Sequence, residues 1–203
     1  MPINPKYTDF ISFLLTRKNT LLSPFIAFYL RYFAGVQMGK KSKFAGWPVV
    51  LCRQGGKIEI GNYFKATSKS INNPAGLPHP VILSAYGEKA VLKIGNNVGI
   101  SGVSINCWNR IEIEDNVIIG AGSAIWDTDF HPTDPVERFN HPRNGKTAPI
   151  IIKKNNFIGA RVLILKGVTI GENCIIAAGT VINKNVPSNS IVFGNPMKIK
   201  EKK

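Results

Sequence analysis

Acidic side chains are scarce in this chain. Twelve Asp and Glu face 26 Lys and Arg in 203 residues, a formal charge of +14 at pH 7. The excess is partly terminal: seven basic residues against Asp9 in the first 45, and four lysines against Glu201 in the last 16. Such a balance suits an anionic partner, whether nucleic acid, a membrane face or a phosphorylated small molecule. The chain lacks the interleaved aromatic and basic motifs of nucleic-acid modules, so nucleic acid is set aside. Cysteine is also rare. Cys52, Cys107 and Cys174 are odd in number and lack metal-ligand spacing, which points to reduced thiols in a cytoplasmic protein. No apolar run is long enough to span a bilayer, which takes about 20 residues. The best stretch, Leu21 to Val36, is interrupted by Pro24 and Arg31 and lies too far in for a signal peptide. The three histidines, His79, His131 and His141, are not spaced as metal ligands, so no metal site is expected.

What the chain does have is a ladder. Ile152, Ile158, Ile164, Ile170, Ile176 and Ile182 fall six residues apart without a miss. A helix repeats every 3.6 residues and a half-buried strand every 2, so neither produces this period. One short strand and one corner, repeated, does. The expected fold is mainly β, a left-handed parallel β-helix of hexapeptide repeats in which each aliphatic side chain enters a narrow core. The fifth residue of each hexad is Asn156, Val162, Val168, Cys174, Thr180 or Val186, small enough for a tight corner. That register makes Cys174 corner filling rather than a nucleophile. Gly159 and Gly171 at the second position are expected to relax a sharp turn.

Upstream the register is less clean. Ile94-Gly95 and Ile100 form one run, and Ile113, Ile119-Gly120 and Ile125 form another, offset by one residue. Ile58 and Ile60-Gly61 read as an early coil followed by an insertion. Between Ile125 and Ile152 the pattern stops, and residues 126–149, with three prolines before Pro149, read as a loop thrown out of the helix. The expected organisation is a helical segment over 1–45, the prism over 46–187 and a tail over 188–203. Within the first segment, Asp9 to Leu15 and Pro24 to Phe33 are predicted helices. The second carries Phe25, Phe28, Tyr29, Tyr32 and Phe33 on an aromatic face, for packing or for peripheral membrane contact.

One histidine stands out. His131 follows Ile125-Trp-Asp-Thr-Asp-Phe where the repeat ends, and counting six from Ile125 lands on it. Asp127 and Asp129 are close in sequence. A carboxylate on Nδ1 would fix the tautomer and leave Nε2 to take a proton from a bound hydroxyl.

Over about residues 94–200 the chain resembles the hexapeptide-repeat acyltransferases, in particular the sugar O-acetyltransferase branch related to maltose, galactoside and nodulation-factor acetyltransferases. The stretches that carry the likeness are Ile111-Glu-Ile-Glu-Asp-Asn-Val-Ile-Ile-Gly, Asp-Phe-His-Pro, and Ile158-Gly-Ala-Arg-Val-Leu-Ile-Leu-Lys-Gly through Gly194-Asn-Pro. The resemblance implies acetyl-CoA as co-substrate and a sugar hydroxyl as acceptor, free or carried on a nucleotide or lipid. It also implies a homotrimer, with His131 as general base. Asp129 or Asp127 would be its partner, and Asn106 would hold the acceptor. For the cofactor it implies Ala160 and Ala178 along the pantetheine arm, and Asn183, Lys184 and Lys198 near the phosphates. Where relatives carry a later arginine this chain has Glu201, so that contact is absent or taken over by Lys200. Surface-polysaccharide or lipopolysaccharide synthesis in the cytoplasm, at the inner membrane face, is the setting this suggests. Serine or antibiotic acetylation and a non-catalytic scaffold are the competing expectations, and a metal enzyme of the same fold would need ligand spacing the histidines lack.

Overall fold

The computed structural model describes residues 20–202. The predicted helix over Asp9 to Leu15 lies outside them. From Gln37 onward the chain winds through six coils, each placing one strand on each of three parallel sheets. The first face stacks β1 (Gln37–Met38), β4 (Lys57–Ile60), β7 (Val91–Ile94), β10 (Arg110–Ile113), β13 (Ile150–Ile152) and β16 (Thr169–Ile170). The second stacks β2 (Lys43–Ala45), β5 (Lys65–Thr67), β8 (Gly99–Ser101), β11 (Ile118–Ile119), β14 (Phe157–Ile158), β17 (Ile175–Ile176) and β19 (Ser190–Phe193). The third stacks β3 (Val49–Arg53), β6 (Ile82–Tyr86), β9 (Ser104–Cys107), β12 (Ala124–Trp126), β15 (Leu163–Leu165) and β18 (Val181–Ile182). The result is a left-handed parallel β-helix.

The isoleucine ladder builds this prism directly. Ile152 pairs with Ile170 on the first face, Ile158 with Ile176 on the second and Ile164 with Ile182 on the third. All six are buried. Full burial of such a side chain is worth about 1.5–3 kcal/mol, and stacking makes the core continuous although no single coil could enclose one. The upstream coils obey the same register with one slip. Ile100 to Ile105 is one residue short and Ile105 to Ile113 two residues long, a net offset of one, and Ile105 takes the place on the third face above Ile125. The early coil begins at Gln37 rather than at residue 46, and its successor carries the expected insertion, residues 68–81.

Corner chemistry differs from expectation at the glycines. The residues with left-handed backbone sit at the fourth hexad position: Asn155, Arg161, Gly167, Asn173 and Gly179. Gly159, at the second position, is needed for close stacking, because a Cβ there would lie 2.6 Å from Ala178 N in the next coil. At the corner between the first and second faces, asparagines fill the left-handed site in coil after coil. Asn97 donates to Asn116, Asn116 to Asn155, Asn155 to Asn173 and Asn173 to Asn189, at 3.0–3.2 Å. Asparagine tolerates this conformation, and its amide both donates and accepts, so the stack is self-satisfying. Buried Asn156 is fully engaged, donating to Lys153 O and Gly171 O and accepting from Cys174 N.

The first coil is capped, and at the other end one sheet edge is paired. Helix α1 (Ser23–Tyr32) lays Ile26 and Leu30 on the first coil. Ser23 Oγ accepts from Phe44 N at 2.8 Å, and Arg31 donates to Met38 O and Gly39 O. At the other end the predicted tail turns back as β20 (Lys198–Glu201), antiparallel to β19, so the last parallel edge is not left open. Among the described residues no helix is long and apolar enough to cross a membrane.

Candidate active site

The chain leaves the prism after Trp126. The next place on the first face is taken by Ile152, paired with Ile113 above and Ile170 below, so His131 does not continue the wall as counting by six predicts. It lies in the loop and is exposed. The loop is structured. A Thr128–Thr147 bridge closes its neck, supported by Asp129 N to Lys146 O and Ala148 N to Asp127 O. A short helix, α2 (Pro135–Asn140), starts at Asp134, whose side chain accepts from Val136 N and Glu137 N at 2.9 Å. Gly145 lets the loop fold tightly, since a Cβ on it would lie 2.7 Å from His131 N.

Within this loop the imidazole of His131 is held by a main-chain group. Its Nδ1 lies 2.5 Å from Pro142 O. A carbonyl can only accept, so Nδ1 carries a proton, and in the neutral ring the lone pair is then on Nε2. This is the tautomer a general base needs, reached without a carboxylate.

Both aspartates are engaged elsewhere. Asp129 pairs with Lys166 Nζ at 2.7 Å. Asp127 is fully buried under the loop neck, accepting from Trp108 N at 2.7 Å and Asn109 N at 2.8 Å. Burial raises its carboxyl above the usual range, against the downward pull of those two N–H groups. Beside it, burial and the Asp127 charge push the Cys107 thiol well up, so this cysteine is no nucleophile at neutral pH. Asp127 therefore acts as a brace for the loop, and neither aspartate is paired with His131.

Asn106 lies on β9, in register with Trp126, with its amide donating to Ser104 Oγ at 3.0 Å. Around it the third face carries an aromatic cluster that sequence reading missed. Tyr86 stacks on Trp108 at 4.8 Å between centroids, and Phe130 meets Trp108 and Trp126 edge-on at 6.3 and 5.5 Å. Arg143, from the loop, donates to the Tyr86 hydroxyl. The indole N–H of Trp126 is buried and has no acceptor among the described residues. The four aromatics are scattered in sequence, and only the parallel register of β6, β9 and β12 gathers them.

The predicted cofactor residues divide into two groups. Ala160 and Ala178 do come together, lining one cavity of about 410 Å³ with Ala121, Arg161, Gly179 and Pro78. Pro78 belongs to the 68–81 insertion, which seats against Gly122, where a Cβ would lie 3.1 Å from its ring. Asn183, Lys184 and Lys198 are exposed and lie outside that cavity. Arg161, which sequence reading passed over, is the cavity's cation. Among the described residues no cluster of His, Cys, Asp and Glu could hold a metal ion.

Fold and repeat together define a hexapeptide β-helix protein. The family profile described as "Bacterial transferase hexapeptide (six repeats)" matches residues 149–184. Galactoside O-acetyltransferase of Lactococcus lactis is 36% identical over 92 residues, covering 45% of this chain and 43% of that protein. The chain thus spans less than half the length of the curated relatives it matches. Among solved structures, a variant of the Bacillus cereus N-acyltransferase AntD, in complex with dTDP and coenzyme A, has a TM-score of 0.61 at 20% identity, over 86% of this chain and 88% of that one. A hexapeptide-repeat-containing acetyltransferase from Vibrio cholerae has a TM-score of 0.56 at 22% identity, over 94% and 92%. At these identities the structures speak for the fold. The chain thus carries the hexapeptide repeat over residues 149–184 and shares the β-helix fold of these structures.

Proposed function

We propose that this protein is an acetyl-CoA-dependent O-acetyltransferase acting on a sugar hydroxyl, with His131 as general base. The observation that carries the reading is the Nδ1 contact of His131 with Pro142 O, which makes Nε2 the accepting nitrogen of the neutral ring, on an exposed residue of the loop that breaks the repeat. In the reaction Nε2 takes the acceptor hydroxyl proton as the oxygen bonds to the thioester carbonyl carbon. The tetrahedral oxyanion is stabilised by a backbone N–H, the C–S bond breaks as it collapses, and the departing sulfur receives the proton from His131. No covalent enzyme intermediate is needed.

The wall of Ala121, Ala160, Ala178 and Gly179 suits a thin pantetheine arm, and Arg161 suits its anionic end. Coenzyme A in the Bacillus cereus structure and the name of the Lactococcus relative support this choice of donor and acceptor. The flat faces of Tyr86, Trp108, Trp126 and Phe130 beside the loop suit a sugar ring. A lipid- or nucleotide-linked surface-polysaccharide precursor, met at a membrane face, fits the basic chain.

A homotrimer fits the second face. Ile118, Phe157, Ile175 and Ile191 stand in one register there, with Ile118 and Phe157 more than half exposed. The loop helix adds exposed Val136 and Phe139. Each surface is the kind a neighbouring copy covers.

The test is thiol release from acetyl-CoA across a panel of sugars and nucleotide sugars, with His131→Ala alongside. A loss of about 10²–10⁴-fold in turnover, with folding unchanged, is the expected outcome for a general base. Full activity of the variant sinks the mechanism.

A further inference from the structure

Among the described residues, a broad exposed apolar surface lies at the amino-terminal end of the prism, far along the chain from the loop. Helix α1 buries Ile26 and Leu30 against the first coil and turns its other side outward. Leu21, Phe25, Phe28, Tyr32 and Phe33 are all half exposed or more, Leu21 at 73% and Phe33 at 72%. Trp47, from the corner after β2, joins them by edge contacts to Phe25 at 6.0 Å and Tyr29 at 5.5 Å. A soluble monomer rarely leaves so many large apolar groups together in water. The rings are Phe, Tyr and Trp, amphipathic types that favour the boundary between headgroups and acyl chains.

The charge along this segment has one sign. Residues 20–47 hold Arg31, Lys40, Lys41 and Lys43 and no Asp or Glu. Two grooves flank the helix and share Pro24, Lys41 and Ser42. One, of about 780 Å³, is lined by Lys41, Lys43, Lys65 and Tyr63, and the other, of about 480 Å³, by Phe28, Arg31, Tyr32 and Lys40. The Ser42 hydroxyl is buried and without a partner among the described residues. Aromatic rings thus project between cationic grooves of phosphate-accepting chemistry.

We infer that α1, with Trp47 and Lys40 to Lys43, docks the protein on an anionic phospholipid bilayer. The rings enter the headgroup boundary while the lysines meet lipid phosphates. The helix lies in the interface and does not cross it, as its ten residues require. This goes beyond the transfer reaction and holds whether or not the acceptor is a sugar. Its consequence for that reading is orientation: the prism stands with its first coil on the membrane, and the loop leaves the fourth coil, three coils further along.

The test uses the full chain in flotation with vesicles of phosphatidylcholine, alone or mixed with phosphatidylglycerol. Wild type floats with the mixed vesicles and not with neutral ones. Replacing exposed Lys40 and Lys41 together by alanine weakens binding to mixed vesicles about 30-fold, at about 1 kcal/mol for each charge. Phe28→Ser with Phe33→Ser abolishes flotation, with thermal stability measured in parallel to show that α1 still packs. Equal flotation on neutral and mixed vesicles, or none on either, overturns the proposal. So does unchanged binding by both variants. If the aromatic variant instead changes only the mass of the assembly in sedimentation, the patch is an interface between copies and the proposal also fails. Thiol-release activity on a soluble acceptor is expected to survive in both variants, which separates this result from any failure of the catalytic reading.

Discussion

Asp127 shows how a residue with the look of a catalytic partner can serve the fold instead. It follows the last aliphatic corner before the loop, and its two oxygens tie down Trp108 N and Asn109 N, the start of the turn between β9 and β10. Burial outweighs these donors and raises its carboxyl relative to an unfolded chain. A raised folded value means that the folded state holds its proton to higher pH than the unfolded state. Stability from this group is complete below the ordinary carboxylate range, about pH 4, and falls as pH rises through the raised value. Asp127→Asn removes that falling step. Urea midpoints measured from acid to neutral pH are therefore expected to show the advantage of wild type over Asp127→Asn shrinking as pH rises. An advantage that grows with pH means that the two N–H donors prevail. That residue 131 opens a loop was legible from the broken repeat. The partner of the His131 imidazole was not, because a main-chain carbonyl eleven residues on leaves no mark in side-chain identities.

At the scale of the element, the prism was legible because its core demands one aliphatic residue per strand at fixed spacing. From Ile152 to Ile182 nothing interrupts that demand. The start at Gln37 was harder to see. There the inward places are held by Met38 and Phe44 rather than isoleucine, and the 68–81 insertion breaks the count. The asparagine stack was also overlooked, since its members lie 19, 39, 18 and 16 residues apart and align only once the coils are formed. Asn155 sits in its middle, at a φ of 61°, with one amide bond given and one received. Alanine there strains the left-handed corner by about 1 kcal/mol and forfeits two exposed hydrogen bonds of about 0.5 kcal/mol each. Asn155→Ala is expected to lower stability by about 2 kcal/mol in urea unfolding, while Asn155→Gly, which keeps the backbone relaxed, loses about half as much. Equal losses in the two variants locate the effect in the side-chain stack alone.

For the whole molecule, the cavity walled by Ala160 and Ala178 and the ridge of Ile118, Phe157 and Ile175 are neighbours. Phe157 and Ala160 are three residues apart on one coil, Ile175 and Ala178 on the next, so the ridge runs beside the cavity along the prism. One chain leaves that cavity open on its outer side. On the proposed reading a second copy seated on the ridge would close it, and assembly and co-substrate binding would then be a single event. Phe157→Glu tests this directly. Its Cβ is on the outward side of β14, opposite to buried Ile158, so the fold tolerates the change. A charge in the middle of an apolar contact costs an interface about 2 kcal/mol or more, a weakening of association by about 30-fold or beyond. Light scattering is expected to show smaller particles for the variant. Acetyl-CoA binding, followed by calorimetry at the same concentration, is expected to weaken in step and to recover as protein concentration is raised. A variant that dissociates yet binds acetyl-CoA as wild type does would mean that one chain suffices to hold the co-substrate. Unchanged particle size would remove the second face as the site of assembly and leave the loop helix, with Val136 and Phe139 exposed, as the surface through which copies meet.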